Sequence, residues 1–177
     1  MTETGLDEPG PANPRGEALV RELQWVHGMI RRDLDTVRQM ADEVAAGRPA
    51  SRVRAGLKLL AASGPLWQLK INCQHYCRFV HSHHNAESIM LFPELRRVNP
   101  GLGPVVDKLE ADHAGVSDLL DEVDAAAREL GEQEDPEGRE RLTRALQNLS
   151  SDLLAHLQYE EDHISDTLRS LTSWPHW

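Results

Sequence analysis

Apolar residues recur at intervals of three and four along four long stretches of this chain, and proline or glycine breaks separate the stretches. That spacing lines up side chains on one stripe of a 3.6-residue helix, whereas a strand needs two-residue alternation. The first stripe passes through Leu19, Leu23, Val26, Ile30, Leu34, Val37, Ala41 and Val44. It predicts a helix from about Glu17 to Ala46, stopped by Gly47 and Pro49. A second helix is expected from Pro65 to about Val98, kinked or ended early by Pro93, which has no amide proton to give. Asn99, Pro100 and Gly101 form a break, and a third helix starts near Pro104 and runs to Leu130. The acidic Gly131–Gly138 stretch is a loop, followed by a fourth helix over about Arg139 to Ser173. Ser51 to Ala62 suggests a short extra helix between the first two long ones. The expected fold is therefore all-α, an antiparallel up-down four-helix bundle.

A chain of 177 residues suits one domain with one core. Residues 1–16, rich in Gly, Pro and acidic side chains, are expected to be a disordered tail, 17–173 the bundle and 174–177 a C-terminal tail. Trp174 and Trp177 in that last tail are expected to pack back on the helices. The balance of 19 basic against 29 acidic residues gives a net charge of −10, which argues against nucleic acid or an anionic membrane as partner. No apolar run reaches membrane-spanning length, and the N-terminus lacks the basic and apolar regions of a signal peptide. Cys73 and Cys77 stand four apart on one side of a helix, poorly placed for a disulfide, so free thiols and a reducing cytoplasm are expected.

The stripes carry residues that do not belong in an apolar core. His27 lies between Leu23 and Ile30 on the first, and His113 between Leu109 and Val116 on the third. The second reads Leu69, Cys73, Tyr76, Val80, His83, Glu87, Met90, and the fourth Leu149, Leu153, His156, Glu160, Ile164. Leaving a neutral polar group buried and unpaired costs about 2–7 kcal/mol, and a carboxylate far more. Six such groups on four helices need a common partner, and a metal cluster supplies one. His83 with Glu87 and His156 with Glu160 are i, i+4 pairs, each presenting imidazole and carboxylate one turn apart on one face.

The order His, HxxxE, His, HxxxE over four helices resembles the hemerythrin-like (HHE cation-binding) family. HSHHNAESIMLFP at 81–93 is close to that family's second-helix signature, and HLQYEE at 156–161 is similar to its fourth-helix motif. The resemblance covers about residues 17–171 and implies a non-haem di-iron centre inside the bundle. It implies His27, His83, His113 and His156 as terminal ligands, with Glu87 and Glu160 bridging the irons beside an oxo or hydroxo group. Imidazole with carboxylate suits iron, with manganese or zinc as lesser alternatives.

Two departures from the oxygen-carrying members matter. Their second third-helix histidine, four after the first, is Ser117 here. Their fourth-helix aspartate lies five after the histidine, where this chain has Glu160 at four and Glu161 at five; the stripe favours Glu160. With one imidazole fewer the site is expected to be more open, or completed by water or by His163, seven after His156. An open site favours reaction with O2, H2O2 or NO, most concretely peroxide breakdown in oxidative-stress defence, over a non-catalytic oxygen- or iron-binding sensor or carrier. Catalytic residues beyond the ligands, the redox partner and the oligomeric state are not specified by the sequence. Among the neighbours, His84 points about 100° from His83; competition for the metal is one reading and a surface or supporting role the favoured one, while His81 is assigned to the exterior. Tyr76 is expected to pack, and Glu110 and Asp112 to orient the His113 ring.

Overall fold

The computed structural model describes residues 13–46, 65–130 and 135–172. The short helix expected at 51–62, the tail at 174–177 and most of the tail at 1–16 lie outside the described residues. Helix α1 (Pro14–Ala45) starts three residues before the expected Glu17. The reason is Asn13, whose side chain accepts the Arg15 amide at 3.2 Å, with Pro14 fitting the first helical position. The Asn13 amide group also donates to the carbonyls of Arg169 at 2.9 Å and Leu171 at 2.7 Å, tying this cap to the far end of the chain.

Helix α2 (Pro65–Ala86) passes into a π-helical turn, Glu87–Leu91, and then into α3 (Phe92–Val98) with no break in helical backbone. A 3-10 turn, Pro100–Leu102, leads to α4 (Gly103–Glu129). Helix α5 (Pro136–Ser170) starts where Asp135 accepts the Gly138 amide at 2.8 Å, again three residues before the expected Arg139. The four rods α1, α2–α3, α4 and α5 form an antiparallel up-down bundle in which α1 and α4 each pack against both α2 and α5. No strand occurs among the described residues.

The irregularity expected at Pro93 falls in the turn before it. Pro93 cannot donate to the Ile89 carbonyl, and the preceding turn widens to i, i+5 bonding, with the Phe92 amide on the Glu87 carbonyl. The wider turn shifts the helical phase. Met90, expected inward, is half-buried, and Leu91 and Phe92 are buried in its place. Upstream the expectation holds: Tyr76 packs in the core, and Cys73 and Cys77 are buried free thiols.

The core has two apolar clusters. One contains Ile30, Val80, Val116 and Leu153, and the other Leu23, Leu91, Leu109 and Ile164. On every rod the change from one cluster to the other occurs at the histidines and glutamates, which form a polar layer between two apolar halves. Near one end, α1 approaches α5 so closely at Gly16 that a Cβ there would fall on the Arg169 backbone carbonyl. Gly16→Ala should therefore force the helix ends apart and destabilise the fold by about 1–3 kcal/mol, lowering the denaturant midpoint with an unchanged slope. A midpoint equal to the parent's would show that the contact yields without strain.

Candidate metal centre

All six histidines and glutamates named from the stripes meet in the polar layer, and His84 joins them. His27, Glu160 and His156 are at most 1% exposed, and Glu87, His84 and His113 are also buried. The donor atoms fall into two groups, His27, His83 and Glu87 in one and His84, Glu87, His113 and His156 in the other. Within each group they lie within 4.8 Å of one another.

Glu87 belongs to both groups. Its Oε1 lies 3.1 Å from His83 Nε2 and 3.8 Å from His27 Nε2, while its Oε2 lies 3.5 Å from His113 Nε2. Glu160 also faces both ways, with Oε2 3.4 Å from His27 Nε2 and 3.8 Å from His156 Nε2. The His84 ring stacks on His113 with centroids 4.1 Å apart and meets His156 edge-on at 4.9 Å. The Nε2 atoms of all five histidines and all four oxygens of the two glutamates are buried with no hydrogen-bond partner among the described residues.

Nine converging, unsatisfied donors of these types fit metal ions. Bonds of about 2.0–2.2 Å from imidazole and carboxylate put neighbouring donors on one ion roughly 3 Å or more apart, in the range of these separations. Among the described residues Glu87 and Glu160 are the carboxylates within the layer, and each is placed to span the two groups.

The electrostatics leave most of the imidazoles neutral. Burial, reinforced by the other imidazoles of the layer, lowers His83 and His113 to about 3. The same causes push His84 far down, and burial lowers His156 against the pull of Glu160 and Asp112. A neutral imidazole keeps the lone pair that a metal takes. His27 is the exception. Burial would lower it, but Glu160, Glu161 and Glu87 outweigh burial and raise it to about 10. Burial and the charge of Glu160 together raise Glu87 to about 8.

His84 is buried in the layer rather than on the surface. Its position four after Val80 and three before Glu87 puts it on the same stripe, a spacing hidden when His84 is judged by its angle from His83. The layer thus holds five imidazoles, and the shortage expected from Ser117 does not arise. His163 does not turn inward: it is exposed, its Nδ1 meeting the Tyr159 carbonyl at 2.7 Å and its ring stacked on Tyr159. Neither Glu110 nor Asp112 orients His113. Glu110 pairs with Arg96 at 2.9 Å, and Asp112 faces His156 Nδ1 at 3.7 Å while pairing with Lys108. Ser88 holds His113 instead, with Oγ 2.9 Å from Nδ1, a contact between helices that no local spacing announces. His81 is half-buried at the surface, 3.5 Å from Asp121. The register choice between the paired glutamates is clear: Glu160 faces the layer, and Glu161 turns to the outer side of His27, its Oε1 2.8 Å from Nδ1.

Bundle and polar layer together define a helical protein with a two-ion histidine–carboxylate metal centre. The model of the hemerythrin HHE cation-binding domain matches residues 18–168, and the chain belongs to that family. Its paired clusters match the family's di-iron arrangement. No curated protein matches the chain. Among the described residues no helix is long and apolar enough to cross a membrane.

Two expectations follow. His84→Ala should reduce bound iron from two ions towards one per chain by elemental analysis, while His163→Ala should leave it at two; equal content in both would return His84 to a packing role. The metal-free protein should be most stable near pH 6.5. Below that value the unfolded chain protonates imidazoles that the folded layer keeps neutral, His83, His84 and His113 above all, so unfolding takes up protons and acid destabilises. Above it the raised His27 and Glu87 reverse the sign, and their contribution is lost as pH rises towards 8 and 10. Denaturant midpoints across pH 4–9 would show this peak, and a flat profile would contradict it.

Proposed function

We propose that this protein holds two iron ions between its paired clusters and reacts there with a small oxidant, O2, H2O2 or NO. The observation that supports this most is the unequal division of imidazoles. His84, His113 and His156 serve one group and only His27 and His83 the other, with Glu87 common to both. The half with fewer donors is where a small molecule has room. His83 is also the most accessible of the seven side chains, at 11% exposure.

When bound, the iron pair supplies a two-electron redox change. The chain's own part is to place and insulate it. Glu87 and Glu160 neutralise charge and span the halves, the neutral imidazoles offer lone pairs, and the apolar clusters above and below keep bulk water and larger molecules out. Peroxide breakdown is the most concrete version, because two H2O2 give O2 and two H2O with one peroxide oxidised and the other reduced, needing no further reductant. A role in oxidative-stress defence and a cytoplasmic setting accompany this reading, the latter supported by the unpaired Cys73 and Cys77.

A second reading, reversible binding by a carrier or sensor, draws support from His84, because a five-imidazole layer removes the expected shortage of protein ligands. The iron-loaded protein should release O2 from H2O2 at an oxygen electrode, and Glu87→Gln should abolish the release. An optical change with O2 that reverses on degassing, without release from peroxide, would favour the carrier or sensor. Failure to retain iron would remove both.

A further inference from the structure

The two imidazoles of the less-occupied half are not held alike. His27 is fully buried, with Nε2 directed into the layer and Nδ1 2.8 Å from Glu161 Oε1. That same oxygen accepts a hydrogen bond from Arg31 at 2.7 Å. Arg31 stands four residues after His27 on α1, and Glu161 follows Glu160 directly on α5. Adjacent carboxylates on one helix are thus divided between the two nitrogens of one ring.

We propose that Glu161, held by Arg31, is a positioning residue that keeps a proton of His27 on Nδ1, so that Nε2, directed into the layer, is the nitrogen that gives up its proton and binds when metal enters. The chemistry is that of an imidazole ligand: one ring nitrogen can bind a cation only if the other carries the proton, and an acceptor on the outer side selects that tautomer. A carboxylate does this more strongly than a neutral group and passes part of its charge through the ring. The other outer contacts in the layer are weaker. His113 meets the hydroxyl of Ser88 at 2.9 Å, and Asp112 is 3.7 Å from His156 Nδ1, beyond hydrogen-bonding distance. Among the described residues the short, charged anchor therefore acts on the half proposed to receive the oxidant. Arg31, 31% exposed, holds the carboxylate from the solvent side and keeps it turned away from the layer, so Glu161 does not compete with Glu160 for the metals.

The consequence for metal binding rests on the di-iron reading, while the Nδ1 anchor does not, and the test separates them. In the full-length metal-free protein with ¹⁵N-labelled histidine, His27 should show an exchange-protected Nδ1 proton. Glu161→Ala should abolish that signal, and Glu161→Gln, which keeps an acceptor oxygen, should retain it. In titrations with cobalt(II) alone, Glu161→Ala should weaken one of two bound ions by about 10–100-fold and leave the other unchanged, with Glu161→Gln close to the parent. A protected signal that survives Glu161→Ala, or equal loss of both ions, would overturn the assignment. A parent chain that binds no cobalt but shows the signal, lost in Glu161→Ala, would instead overturn the di-iron reading and leave the anchor standing.

Discussion

Two carboxylates meet in the middle of this bundle's core, and the arrangement of everything around them follows from that. Glu87 and Glu160 are buried with all four oxygens unbonded, about as unfavourable a placement as a folded chain can give an anion. Without cations the protein has one recourse visible in its electrostatics: His27 stays protonated and Glu87 is driven towards its neutral form. With two divalent ions the same atoms become ligands. The layer is therefore a weak seam in the metal-free fold and a cross-brace through all four rods when metal is present.

The π turn at Glu87 connects this requirement to the backbone. A regular helix would carry the phase of Val80, His84 and Glu87 onward unchanged. The i, i+5 turn ahead of Pro93 begins at Glu87, which the stripe already turns to the layer, and brings Leu91, Phe92 and Leu95 into the second apolar cluster. Proline, by removing one donor, thus reconciles a polar layer with the apolar packing beyond it. Such turns are recurrent at functional sites because they rotate side chains without breaking the helix.

Much of this was legible in the chain. The apolar stripes gave the four rods because burial of one face dominates helix placement, and the six layer residues stood out because each interrupts a stripe at its own spacing. The departures share one cause, contact between distant segments. Helix α1 begins at Pro14 because Asn13 is tied to the end of α5. Ser88 reaches His113, and Glu161 reaches His27, through rotations of one rod against another that local periodicity does not encode. His84 is the instructive case. Its position relative to Val80 and Glu87 was available in the sequence, but two adjacent histidines invite the choice of one. A slightly rotated helix can turn both inward.

The central claim is that this layer holds two ions joined through Glu87, with His84 on the three-imidazole side. The most direct test is anomalous diffraction at the iron edge from crystals of iron-loaded protein. Two peaks flanking the Glu87 carboxylate, one beside His84, His113 and His156 and the other beside His27 and His83, are expected. A single peak, or two peaks with His84 turned away from both, would contradict the account.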